Sequence, residues 1–261
     1  MARRRTAAPT RTSRRAGTAP VLYLALAPAL ALTGCTPSAH GAHPGPALTA
    51  ATAPADSAAQ RIGVLRLPAQ NNQRSCTASV VDSPDRDLLV TAAHCVYTAG
   101  VGPVDGLTFA PGYRDGATPL GEWAVDKVTV DQHWQDSGDP EYDVAFLSVR
   151  PSDGRRIEDA VGGNRIGVNR GFNLPVTVTG YPYDHETPVT CTTRTSAQSS
   201  TQQRFDCGGF PDGTSGSPWL TDQGELVGVI GGYQQGGDTP DVSYSVSFDD
   251  RVLALYRRAT G

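Results

Sequence analysis

The chain has 261 residues, with 22 Lys or Arg, 26 Asp or Glu, 29 Gly, 20 Pro and five Cys. Six Arg and no acid lie in residues 1–35, so the remainder carries 16 basic against 26 acidic residues, a formal charge of −10. An acidic body of this kind argues against nucleic acid or an anionic membrane surface as partner. No metal-ligand spacing, phosphate-binding Gly loop or nucleotide fingerprint is present, so neither a metal nor an organic cofactor is expected.

The N-terminus reads as an export signal over residues 1–35. Arg-rich residues 3–15 precede an apolar run, Val21 to Leu32, which is too short to span a bilayer comfortably. Leu32-Thr33-Gly34-Cys35 follows and resembles a bacterial lipobox, whose Cys is lipidated and becomes the mature N-terminus. The alternative is an ordinary signal peptide with a Cys near its cleavage site. Arg14-Arg15 also permits a twin-arginine reading. An odd cysteine count in an exported protein needs an explanation. Lipid on Cys35 would supply it, leaving Cys76, Cys95, Cys191 and Cys207 for two disulfides in an oxidising compartment. Two acyl chains on Cys35 are enough for stable membrane anchoring.

Residues 36–60, rich in Ala, Pro, Thr, Ser and Gly, read as a flexible tether, with His40 and His43 solvated in it. Order is expected from Arg61 to residue 261. Strand candidates are Ile62 to Leu67, Thr77 to Val81, Leu88 to Thr91, Leu107 to Phe109, Val125 to Val130 and Val144 to Val149. After Pro151 a polar, irregular stretch joins two lobes, split near residue 155. More strands are expected at Val176 to Gly180, around Cys191 and Cys207, at Leu226 to Ile230 and at Val242 to Val246. Such spacing suits all-β barrels or sandwiches. Only the end reads as helix: Asp249 and Asp250 suit its start, Phe248, Val252, Leu255 and Tyr256 share a face, and Arg257-Arg258 suit its end.

Three motifs carry chemistry. Amide hydrolysis by a serine needs an exposed hydroxyl beside a general base, an acid that holds the base in the right tautomer, and preorganised N–H donors. Gly213-Thr214-Ser215-Gly216-Ser217-Pro218 offers Ser215 between glycines that permit a tight turn. The amides of Gly213 and Ser215 could share one small pocket. A plain Gly/Ser surface loop is the competing reading. Val90-Thr91-Ala92-Ala93-His94-Cys95 offers His94 as base, with Cys95 able to bridge back to Cys76. His133 and His185 are rivals without so rigid a setting. Asp143, at the mouth of the apolar run Val144 to Leu147, is the acid, while Asp136, Asp139 and Glu141 read as solvated loop charges.

The segments SCTASVV (75–81), LLVTAAHC (88–95), YDVAFLSV (142–149) and GTSGSPW (213–219) occur in the order His, Asp, Ser. Together with Gly180-Tyr181-Pro182 they resemble the trypsin-like (chymotrypsin-fold) serine peptidases, in particular the short bacterial branch that includes glutamyl endopeptidases. The resemblance covers roughly residues 61–258. It implies two perpendicular six-stranded antiparallel β-barrels, the triad in the cleft between them, and a C-terminal helix. It implies that His94 is the base, Asp143 orients it, Ser215 attacks, and the Gly213 and Ser215 amides form the oxyanion hole. A protein or peptide substrate and a monomeric chain are expected.

The chain departs from that family in places. Thr214 stands where animal members carry an Asp that pairs with a new N-terminus, so activation by an α-amino group is not expected. Gly231 stands where a Ser usually supports the Asp. A wall of Val229, Ile230, Gly231, Gly232 and Tyr233, together with Gly236 and Gly237, and a base near Gly209, is the expected substrate pocket. The absence of Asp at its base does not support Arg or Lys preference, and Ile230, where glutamyl members use His, argues against acidic residues. The second bridge would be Cys191–Cys207, worth roughly 3 kcal/mol by loop closure. A non-catalytic homologue that binds through the same fold is the alternative function. A solute-capturing lipoprotein, suggested by the lipobox alone, is a third.

Overall fold

The computed structural model describes residues 47–67, 70–71 and 73–261. The expected export signal, Cys35 and residues 36–46 of the expected tether lie outside the described residues.

A two-residue strand, β1 (Ala51–Thr52), comes first and pairs with a strand of the second lobe. The first lobe then contributes β2 (Ile62–Leu67), β3 (Gln73–Val81), β4 (Leu88–Thr91), the short pair β5 (Tyr97–Thr98) and β6 (Gly102–Pro103), β7 (Thr108–Pro111), β8 (Trp123–Val130) and β9 (Ala145–Val149). Strands β2, β3, β4, β9, β8 and β7 close into an antiparallel barrel. These runs are rich in Val, Ile and Leu, which pack well on a pleated surface, and closure removes the exposed edges. Leu65, Val80, Leu89, Phe109, Trp123 and Leu147 fill the interior. Bulges at Leu65/Arg66 and Val125/Lys127 supply bends.

The second lobe holds β10 (Arg165–Ile166), β11 (Pro175–Gly180), β12 (Val189–Arg194), β13 (Ser196–Ala197), β14 (Gln202–Asp206), β15 (Pro218–Thr221), β16 (Glu225–Val229) and β17 (Val242–Val246). It differs from a closed six-stranded barrel. One sheet runs β1-β12-β11-β15-β16-β10, and a separate one runs β13-β14-β17. Side chains span the seam between them where a ladder would run. Val229 N donates to Ser245 Oγ at 2.9 Å, and Gln203 Nε2 donates to the Val227 carbonyl at 2.7 Å. At Gly228 a Cβ would lie 2.5 Å from that same hydroxyl, so only glycine lets Ser245 fill the gap. A disulfide from Cys191 in β12 to Cys207 after β14 ties the other side. Val178, Phe205, Trp219 and Val227 are buried between the sheets.

The C-terminal helix α3 (Asp250–Thr260) is as expected, capped by the Asp249 carboxylate, which accepts from Arg251 N. Its Val252 and Leu255 pack with Phe248, Phe146 and Leu226, a cluster drawn from both lobes. Two short helices, α1 (Gln132–Ser137) and α2 (Ile157–Val161), were not expected. Asp131 caps α1 by accepting from His133 N, and Gly138 at φ 66° ends it. The expected tether also ends earlier than residue 60. Leu48 to Ala53 lie against the second lobe, because their backbone groups find partners on β12 and at Gly208. Among the described residues no helix is long and apolar enough to cross a membrane.

Candidate active site

His94 sits in a short turn, Ala93–Cys95, that follows β4 directly. Ala92 and Ala93 are fully buried, and their small side chains let the turn pack flat. The Cys76–Cys95 disulfide ties the next residue to β3 and so fixes the backbone beside the imidazole. Asp143 closes another short turn, Pro140–Tyr142, which Asp139 caps through Glu141 N at 3.0 Å.

The Asp143 carboxylate is wholly buried. Its Oδ2 accepts from His94 Nδ1 at 2.8 Å and from Gly232 N at 2.8 Å, and its Oδ1 accepts from His94 N at 2.9 Å. Three donors therefore satisfy both oxygens of a charge that burial would otherwise penalise. The same bonds fix the ring: Nδ1 faces the carboxylate and Nε2 is left for another partner. The Gly232 amide was not foreseen, since a backbone donor has no residue signature. It supplies the support that a Ser at position 231 would give. A Cβ at Gly231 would lie 3.1 Å from that Asp143 oxygen.

Ser215, half-buried, lines one cleft with His94 and Gly213. Among the described residues no hydrogen bond joins its hydroxyl to His94. Such contacts are often long in unliganded sites and tighten around substrate. The loop is held from both sides: Thr77 N donates to the Ser215 carbonyl at 2.8 Å, and Gly216 N donates to the Ile230 carbonyl at 2.7 Å. Thr214 N and Ser217 N are spent on Pro211 and Thr214 carbonyls. The amides of Gly213 and Ser215 have no backbone acceptor among the described residues. Gly213 takes φ 94°, and a Cβ there would lie 2.6 Å from the Tyr181 carbonyl oxygen. Thr214 is buried and its hydroxyl donates to the Pro211 carbonyl at 2.7 Å, so no charged partner is called for.

The cleft has a volume of about 920 Å³. Of the expected pocket residues, Ile230, Gly236 and Gly237 line it, while Gly209, Gly231, Gly232 and Tyr233 do not. Gly209 packs on Ala50, Gly231 and Gly232 lie at Asp143, and the Tyr233 ring turns to Tyr244 with centroids 5.0 Å apart. Two wall segments, Phe210 to Gly213 and Gln234 to Pro240, supply much of the rest of the lining. Gln234 and Gln235 both hold left-handed backbone, at φ 51° and 53°. The chain turns sharply there, which takes Tyr233 out and brings Asp238 in. Asp184, Asp212 and Asp238 line the cleft, and no Lys or Arg does. Tyr183, also in the lining, bonds to the Ser75 carbonyl at 2.6 Å, and burial pushes its phenol above the usual value.

The rival histidines are elsewhere. His133 is exposed and stacks on Tyr142, and His185 is exposed beside Asp184. Among the described residues, the group with metal-ligand geometry is Cys76, His94 and Cys95, but both sulfurs are in a disulfide and offer no thiolate.

Two β-lobes that hold an imidazole on a buried carboxylate, in a cleft shared with a serine, define a class of triad-type β proteins. Residues 76–229 match the family described as trypsin-like peptidase domain, and the chain belongs to it. It is similar in structure to the protease Anisep from Arthrobacter nicotinovorans, with a TM-score of 0.69, 22% identity, and coverage of 79% of this chain and 98% of that one. A thermostable serine protease, AL20, from an extremophilic microorganism gives 0.69 at 23% identity, covering 78% and 99%. A Glu endopeptidase gives 0.68 at 17%, covering 82% and 97%. An extracellular metalloprotease of Bacillus subtilis (strain 168) is 27% identical over 120 residues. That match covers 46% of this chain and 37% of the relative.

Proposed function

We propose that the chain is an exported serine endopeptidase working through an acyl-enzyme. The observation that carries the reading is the buried Asp143 carboxylate holding His94 Nδ1 at 2.8 Å, in a cleft also lined by Ser215. In this mechanism His94 Nε2 takes the Ser215 proton as Oγ attacks the scissile carbonyl carbon. The Gly213 and Ser215 amides receive the developing oxyanion. The C–N bond breaks as His94 returns the proton to the leaving amine. Water then repeats the sequence on the ester and frees Ser215. His94 Nε2 must carry no proton to begin, since a general base accepts one.

Ile230 and three carboxylates, in a lining with no Lys or Arg, disfavour acidic substrate side chains. Export is supported by the two disulfides, which suit an oxidising compartment. Lipid on Cys35 would hold the enzyme at the outer face of the membrane. Detergent-phase partition of the native chain, lost on Cys35→Ser, tests that anchor.

A fluorophosphonate probe tests the activity. The folded chain should be labelled once, and Ser215→Ala should abolish labelling with little change in melting temperature. A folded chain that takes no label would instead favour the non-catalytic binding homologue.

A further inference from the structure

Gly208 and Gly209 lead into Phe210 to Gly213, one wall of the cleft. The segment Leu48 to Ala53 is hydrogen-bonded to that entry. Ala50 N donates to the Gly208 carbonyl at 2.8 Å, and Gly208 N donates to the Leu48 carbonyl at 2.8 Å. Ala51 and Thr52 then pair with Thr190 and Val189 on β12. Ala53 N donates to the Pro188 carbonyl at 2.8 Å, and Arg114 of the first lobe donates to the Ala53 carbonyl at 2.8 Å. The fit depends on glycine: Gly209 takes φ 96°, and a Cβ there would lie 3.2 Å from the Ala50 Cβ. The next residue, Phe210, donates its amide to the Pro240 carbonyl at 3.1 Å, at the end of the second wall segment. One short strap is thus joined through two residues to both wall segments.

We infer that Leu48 to Ala53 is a positioning element for the substrate cleft, setting affinity for extended substrates by fixing Gly208 to Phe210. The inference rests on reading the cleft as a peptidase site. The strap touches no reacting atom. It acts by holding wall segments whose side chains and backbone would seat the substrate, and small misplacements of such walls are costly. It is also a strand added to the open edge of β12, so its backbone bonds do not depend on its own apolar content.

The test uses the full chain. Ala50→Pro removes the amide that donates to Gly208, Ala50→Leu keeps it but adds bulk against Gly209, and Ala50→Ser is the conservative control. Each is assayed for kcat and KM on a peptide substrate and for the rate of labelling by a small fluorophosphonate. KM should rise roughly ten- to a hundredfold in the Pro and Leu variants. Their kcat and labelling rate should stay within about threefold of the parent, and the Ser variant should match the parent throughout. If the Pro variant fails to fold, the Leu variant decides. An unchanged KM in the folded Leu variant overturns the inference, as does labelling that falls in step with melting temperature. If the parent itself takes no label, the peptidase reading has failed, and hydrogen exchange judges the strap alone. The Gly208 and Phe210 amides should then exchange faster in the Leu variant, and unchanged exchange overturns it.

Discussion

Asp143→Asn puts the tautomer of His94 under test. All three partners of the carboxylate are donors: His94 N on Oδ1, with His94 Nδ1 and Gly232 N on Oδ2. Asn offers one acceptor oxygen and one NH2 group. If the NH2 faced His94 N, two fixed donors would collide with no means of relief. The NH2 therefore turns to the other side, where Gly232 N loses its acceptor and the imidazole can respond. It does so by moving its proton from Nδ1 to Nε2, and a protonated Nε2 is no base. An inverted tautomer of this kind costs about 10⁴ in kcat in a serine peptidase triad, or about 5.4 kcal/mol at 1.36 kcal/mol per decade. The unpaired Gly232 amide costs about 1–3 kcal/mol of stability. The chemical loss thus exceeds the folding loss. Thermal melts and fluorophosphonate labelling rates on the same samples separate the two. A folded Asn variant that labels within about tenfold of the parent would falsify the assignment of Asp143 as the group that holds the tautomer.

Gly231→Ala should cost about 1–3 kcal/mol through crowding, since its Cβ would lie 3.1 Å from Ala92 Cβ and from Asp143 Oδ2. Gly231→Ser should recover about 1.5 kcal/mol of that by a bond to the carboxylate, and denaturant midpoints showing Ser no better than Ala would refute this. Gln234→Gly and Gln235→Gly relieve left-handed strain of about 1–2 kcal/mol each, offset by about 0.5–1 kcal/mol of glycine entropy. Each should raise the unfolding midpoint slightly, and a lowered midpoint would contradict the account. Replacing Cys191 and Cys207 together by Ser, across a separation of 16 residues, should cost about 3 kcal/mol in reversible unfolding; a loss under about 1 kcal/mol would show that the side-chain seam suffices. Burial acts upward on Asp131, but bonds from His133 and Arg258 outweigh it and hold the carboxyl below its usual range. A folded value below the unfolded one gives stability that is present above the unfolded value and lost as pH falls through the folded one. Asp131→Asn should therefore destabilise at neutral pH, and the gap should begin to close near the usual carboxyl value of about 3.9 and vanish only below the lower folded one; a gap that persists at still lower pH would assign the effect to something other than charge.

The β-strands were readable because each is a short apolar run between turn residues, and the register of a barrel rewards that pattern. Val242 to Val246 and Ile62 to Leu67 match residue for residue. The helices α1 and α2 were not readable, since five or six residues hold too few turns for a period to show. His94, Asp143 and Ser215 stood out because each has a rigid local setting written into its neighbours. The pocket was only partly legible, with Ile230, Gly236 and Gly237 in the lining but Gly231, Gly232 and Tyr233 outside it. Extending the wall strand beyond Val229 assumes ordinary extended backbone. The chain instead turns at Gly232, φ 82°, and again through Gln234 and Gln235. Left-handed Gln is not foreseeable from residue type.

The strap is the more instructive failure. Residues 36–60 have the composition of a tether, and nothing in Leu48 to Ala53 suggests a segment able to bury enough apolar surface to order itself. Yet Ala53 is buried and the flanking amides are bonded. Composition reports what a segment can bury by its own side chains. It is silent on what an unfinished edge elsewhere can hold. Strand β12 has an open edge, and its Cys191 is bridged to Cys207, one residue before the glycines that receive the strap. The need lies in the second lobe, far along the chain, and a strand of small residues is well suited to meet it.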